Sequence, residues 1–106
     1  MKFGLNETTI RKIQRVFANY PQIEQVLIYG SRARDTYREG SDIDLTLIGK
    51  ELTERTCSDV WLDIDDLNTP YLYDISVFHL LKSDSLIDHI NRVGKVFYKN
   101  TVDSAS

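Results

Sequence analysis

Several common function classes are closed to this sequence by what it lacks. Cys57 is its only cysteine, so an internal disulfide is impossible, and no short-spaced Cys/His cluster suggests zinc. Cys57 therefore reads as a small, buried apolar side chain. Basic residues are in the minority: 13 Lys+Arg against 16 Asp+Glu leave a net charge of −3. No broad basic surface is available to grip a phosphate backbone, and stable nucleic-acid binding is not expected. Long apolar runs are missing as well. Nothing approaches the ~18 residues of a membrane span, and no apolar run follows a basic start, so no membrane association is expected and a cytoplasmic setting is the default. No Walker-type phosphate loop and no twelve-residue calcium loop is present, nor any internal repeat or low-complexity segment. At 106 residues there is room for one domain, near the lower end of what buries its own core.

What is there alternates helical and strand patterns. Asn6 is placed to cap a helix whose apolar positions Ile10, Ile13, Val16, Phe17 and Tyr20 recur at spacings of three and four, with Pro21 ending it. The run from Ile23 to Tyr29 reads as a buried strand stopped by Gly30. Ser31 to Arg34 opens a short helix, and Asp35 to Gly40 is a polar connection. From Asp42 to Ile48 strict alternation puts Asp42, Asp44 and Thr46 on one face and Ile43, Leu45 and Leu47 on the other. Thr53 caps a helix with an apolar stripe through Cys57, Val60, Trp61, Ile64 and Leu67. Its acidic row, Asp59, Asp63 and Asp66, is either a solvated face or a docking surface for a basic partner. Tyr71 to Phe78 is a third strand carrying Asp74. Ser83 or Asp84 caps a last helix, Gly94 stops it, and Lys95 to Tyr98 forms a short closing strand. Residues 101–106 read as a frayed tail. The expectation is a single α/β domain over residues 5–99, with a mixed sheet of three to four strands flanked by helices. The six-residue link from Asp35 to Gly40 is too short for a helical crossover, which makes the first two strands antiparallel neighbours.

The chemistry gathers between Gly30 and Leu45. Asp42 and Asp44 leave the same strand face roughly 6.6 Å apart at the backbone. Two carboxylates so close repel, which pushes one towards protonation unless a cation is shared between them. Magnesium suits such a pair, being held by one or two carboxylates together with waters and substrate phosphates. If the third strand lies beside the second, Asp74 joins that face, and three converging acids suit two ions ~3.5–4 Å apart in a phosphoryl displacement. At the other end, Gly30 permits a tight turn, and Ser31 offers an N–H and a hydroxyl to an anion. Arg34 lies one turn on, in reach of the same phosphates. Arg32 and Arg38 are more readily read as solvated surface arginines.

Gly30-Ser31, ten residues from Arg32 to Ser41, then Asp42-Ile43-Asp44, resembles the signature of the polymerase-β-like nucleotidyltransferases, with Asp74 as the third acid. The short length and the GSRAR and SDIDL wording are similar to the minimal nucleotidyltransferases (MNT) of that superfamily. The resemblance implies Asp42, Asp44 and Asp74 as catalytic metal ligands for two Mg2+, and Gly30, Ser31 and Arg34 as nucleotide-binding residues. ATP or another nucleoside triphosphate is the implied substrate. It further implies an antitoxin that transfers AMP to a tyrosine hydroxyl of a partner HEPN-domain toxin, as a homodimer or hetero-oligomer. Two alternatives stay open: an antitoxin that neutralises its partner by binding alone, and a small-molecule nucleotidyltransferase. One departure stands out, since Asp35 occupies a position where the family often has glycine. Asp tolerates left-handed backbone, so the turn is expected to survive, with an added negative charge beside the triphosphate.

Overall fold

The computed structural model describes residues 2–38 and 40–100. Helix α1 spans Glu7–Ala18, β1 Gln25–Tyr29, β2 Ile43–Ile48, α2 Glu54–Asp65, β3 Tyr73–Val77, α3 Asp84–Val93 and β4 Lys95–Lys99, with one 3-10 turn at Phe78–Leu80. The sheet has the order β3-β2-β1-β4. Strand β1 runs antiparallel to β2 and β4, whereas β2 and β3 are parallel. The β1–β2 link, residues 30–42, holds turns and no helix among its described residues and returns the chain antiparallel, whereas α2 supplies the crossover that a parallel pair requires. The expected mixed sheet is therefore present, closed on its β1 side by the fourth strand.

Each helix begins on a side-chain cap. Asn6 Oδ1 accepts the Thr9 N–H at 2.8 Å, Thr53 Oγ1 that of Thr56 at 3.2 Å, and Ser83 Oγ that of Leu86 at 3.3 Å. Ser83 is thus the third cap, and Asp84 falls in the first turn, where a negative charge meets the positive end of the helix dipole. At the other end of α3 the Gly94 N–H donates to the Ile90 carbonyl at 2.7 Å.

The two sheet faces differ in kind. On one, Val26, Ile28, Ile43, Leu45 and Leu47 are fully buried against Ile10, Ile13, Val16 and Phe17 of α1 and Val60 and Ile64 of α2. Each such side chain contributes on the order of 1.5–3 kcal/mol, so this face is the source of stability. The other face carries Asp44, Thr46, Asp74 and Ser76, with α3 packed over its β1 end, where the His89 ring meets that of Tyr29 edge-on at 6.2 Å.

Four sequence readings change. Strand β1 starts at Gln25, because the Ile23 N–H turns back to the Tyr20 carbonyl. Strand β3 is shorter at both ends, and Phe78 belongs to the turn closed by the Leu81 N–H. Ser31 to Arg34 forms hydrogen-bonded turns and no helix, since a few residues cannot repay helix nucleation. The acidic row of α2 is partly engaged: Asp59 pairs with Arg55 at 3.5 Å. Asp63 accepts the Tyr20 hydroxyl, which pushes that phenol up to about 12. The tail at residues 101–106 lies outside the described residues. Among the described residues no helix is long and apolar enough to cross a membrane.

Candidate functional site

The parallel register places Asp74 directly beside Asp44, and the antiparallel register places Tyr29 beside Asp44 from the other side. Register partners share a face, and neighbouring strands lie ~4.8 Å apart, so Asp74, Asp44 and Tyr29 form a row across three strands. Asp42 stands one residue before β2 begins, where the Ile43 N–H still donates to the Leu72 carbonyl at 2.9 Å. The strand is one residue shorter than expected, but its extended lead keeps Asp42 within electrostatic reach of Asp44. Half-buried, Asp44 is pushed upward first by burial, then by Asp74 and by Asp42; His89 and Arg32 pull it down. Burial likewise raises the Tyr29 phenol to about 12, with Asp74 and Asp44 adding to it and a Ser76 hydrogen bond opposing.

The three acids form an open ledge. Among the described residues no group of three or more His, Cys, Asp or Glu side chains is placed to hold a metal ion. Magnesium completes its shell with waters and substrate phosphates, so this donor set fits a cation shared with a bound triphosphate and does not fit a resident structural ion. The groove beside the β3 edge, lined by Cys57, Trp61, Ile75 and Leu80, is not lined by any of the three acids.

The turn after β1 sits against this ledge. Gly30 has φ +75°, and a Cβ there would strike Asp44 Oδ2. Two separate demands, left-handed backbone and contact with a carboxylate, are met only by glycine. The Arg34 N–H donates to the Gly30 carbonyl at 3.2 Å, and the Thr36 N–H to that of Ser31 at 2.9 Å. Among the described residues no backbone carbonyl accepts from the N–H groups of Ser31, Arg32 and Ala33; Ser31 is partly exposed, whereas Arg32 and Ala33 are buried. The exposed Arg34 side chain has no hydrogen-bond or ion-pair partner among the described residues. Asp35 closes the turn at φ +63°, the left-handed conformation that its departure from glycine put in question. Asp35→Gly is expected to raise stability by about 0.5 kcal/mol. It should also tighten binding of a non-hydrolysable ATP analogue, and thermal melting and calorimetric titration read the two effects.

One sequence reading is corrected here. Arg32 is no solvated arginine: it is 3% exposed. Its Nε and Nη2 donate to the Ser41 carbonyl at 3.2 and 2.8 Å, and its Nη1 to the Phe3 carbonyl at 2.8 Å. Its guanidinium also stacks on Tyr37 and Tyr71, 5.3 and 5.1 Å from the ring centroids. Arg38 is exposed, as expected. Tyr29, Ser76 and His89 flank the acids without having been singled out in the sequence. Position 89 follows Leu86 by three and precedes Val93 by four, which marks an inward-facing histidine, but nothing in the sequence pairs it with Tyr29.

The fold is shared with proteins of known structure. Similar folds include a toxin–antitoxin complex crystallised with AMP-PNP: 22% identity, TM-score 0.68, covering 95% of this chain and 79% of that one. The MNT antitoxin complex with the tri-AMPylated HEPN toxin of Shewanella oneidensis matches at 16% identity and TM-score 0.67, covering 95% and 78%. An MntA–HepT complex matches at 16% and 0.66, covering 94% and 78%. At these identities the likeness establishes the fold. Among curated proteins no sequence match of significance is found. The family model for polymerase beta nucleotidyltransferases matches residues 11–103, nearly the whole chain and all of the turn and the acid ledge, and the chain belongs to that family.

Proposed function

We propose that this protein transfers AMP from ATP to a hydroxyl of a partner protein, a tyrosine of a HEPN-domain toxin, and thereby acts as its antitoxin. The observation that supports the reading is that Asp44 has Asp74 as its register partner on one side and the Gly30 turn against its carboxylate on the other. The Ser31 N–H and hydroxyl and the Arg34 guanidinium bind the β- and γ-phosphates. Asp42, Asp44 and Asp74 would hold two Mg2+, which when bound neutralise charge on the triphosphate and acidify the acceptor hydroxyl. The turn and Arg34 orient the triphosphate so that its α-phosphorus faces the acids. Asp74, the exposed acid on the edge strand, accepts the proton of the tyrosine hydroxyl. The tyrosine oxygen bonds to the α-phosphorus, the bond to the bridging oxygen breaks, and pyrophosphate leaves. An open ledge suits an acceptor delivered by a macromolecule, and similar folds occur in complexes with HEPN toxins.

A second reading, neutralisation by docking alone, is favoured by the exposed carboxylate of Asp35 at the phosphate turn. Incubation with α-labelled ATP, magnesium and the product of the adjacent gene decides between them. Label on the partner, with an added AMP seen by mass spectrometry, supports transfer. Neutralisation that persists in an Asp42→Ala/Asp44→Ala variant, without label in either protein, supports docking.

A further inference from the structure

Burying a guanidinium with no carboxylate in contact is a poor route to stability, since an apolar side chain of the same volume avoids the desolvation penalty. Arg32 has no ion pair among the described residues. What an apolar residue cannot do is hold several carbonyls at fixed directions, as the planar five-donor fork does. The contacts of that fork are all placed around the site. Arg32 follows Ser31 of the anion turn, and the Ser41 it grips with two nitrogens precedes Asp42. Tyr71, under one face of the guanidinium, leads into β3 and Asp74. Phe3, bonded to Nη1, belongs to the chain start, where Lys2 and Leu5 exchange backbone hydrogen bonds at 3.2 and 2.8 Å. There Gly4, at φ +74°, leaves no room for a Cβ beside Tyr37 and Arg32.

We propose that Arg32 is a positioning residue: without touching nucleotide, it fixes the spacing between the anion turn and the acid ledge by tying Ser41, Tyr37, Tyr71 and Phe3 into one unit. Only the catalytic consequence rests on the nucleotidyl-transfer reading. Between Ser31 and Asp42 the backbone hydrogen bonds are local, Thr36 N–H to Ser31 and Ser41 N–H to Arg38 at 2.9 Å each, and the Arg32 contact with Ser41 is what links the two ends among the described residues. Misplacement by about 1 Å is enough to cost an enzyme two orders of magnitude.

The test compares the full chain with Arg32→Met, which keeps the length, Arg32→Lys, which keeps the charge and loses the fork, and Tyr37→Leu, which removes one stacking face. All are studied at a temperature where circular dichroism shows each folded. Amide hydrogen exchange is expected to quicken about tenfold or more at residues 41–44 and to stay unchanged in α1. With ATP and the partner, kcat should fall about tenfold or more while KM stays within about twofold, and Arg34→Met should raise KM instead. Exchange at residues 41–44 no faster than wild type, or faster equally everywhere, overturns the proposal, as does an Arg32→Lys variant that matches wild type in both readouts. If Arg32→Met does not fold, Arg32→Lys and Tyr37→Leu decide by the same criteria. A wild-type chain that transfers no nucleotide refutes the proposed function, and the exchange data still decide the role of Arg32.

Discussion

Replacing Asp44 by Asn is expected to lower nucleotidyl transfer by about a thousandfold while raising the melting temperature of the metal-free protein at pH 7. The loss follows from the chemistry of the ledge. Asn keeps the shape of the side chain but removes a charged oxygen ligand; ~4 kcal/mol of transition-state stabilisation, within what metal coordination supplies, is about three powers of ten. The gain in stability follows from the same carboxyl seen without a cation. Asp44 is held above its ordinary value by burial first, then by Asp74 and by Asp42. An acid whose folded-state pKa lies above its unfolded value of ~3.9 binds its proton more tightly in the folded protein. Its contribution to stability is complete below about pH 4 and is lost as the pH rises through the folded value. Above that range wild type carries a strained carboxylate and the variant does not. Because Asp44 is only half-buried, solvent screens most of this strain. The expected rise is about 2–4 °C, what roughly half a kilocalorie gives in a domain of this size. Near pH 4 the two proteins should melt together, and magnesium with an ATP analogue should narrow the difference at pH 7. A variant that melts below wild type at both pH values would show that the ionised carboxyl is not the strained form.

How far the site was legible before folding depended on the range of each contact. Alternation from Asp42 to Ile48 is a local, period-two signal, and it put Asp44 on the polar face while starting the strand one residue early, at Asp42. The Gly30-Ser31 turn was equally local. Asp74 could be brought to the ledge only conditionally, because strand order is set by α2 crossing over the sheet and not by any residue near Asp74. Arg32 was misread for the same reason in stronger form. An arginine in a polar stretch looks solvated, and what buries it, the Phe3 carbonyl and the Tyr71 ring, comes from 29 residues before it and from the segment entering β3. His89 and Tyr29 meet across α3 and β1, a pairing that neither helix nor strand periodicity encodes. The shortfall at Ser31 to Arg34 was energetic: its hydrogen bonds close a turn and stop, since Asp35 leaves the helical region at φ +63°.

Gly30→Ala is the second change of large expected effect, and Gly40→Ala is its control. Both glycines have positive φ, +75° and +85°, where an L-residue costs about 1–2 kcal/mol. They differ in what surrounds the new methyl group. At Gly40 nothing lies within 4 Å of a built Cβ, whereas at Gly30 the methyl overlaps Asp44 Oδ2. Backbone strain alone therefore acts at Gly40, and strain together with displacement of a ledge carboxylate acts at Gly30. Gly40→Ala is expected to lower the melting temperature by about 4–8 °C, the shift for roughly 1 kcal/mol in a chain of this size, and to leave kcat within about twofold when assayed below the transition. Gly30→Ala is expected to lower it at least as far and to reduce kcat about a hundredfold or more, because the Asp44 carboxylate must swing away from the new methyl and out of its seat on the ledge. The two variants share the strain, so any difference in kcat at matched folded fraction reports the carboxylate contact. Equal, small losses of kcat in both would mean that Asp44 moves aside without consequence, and its seat against Gly30 would then have no part in the chemistry.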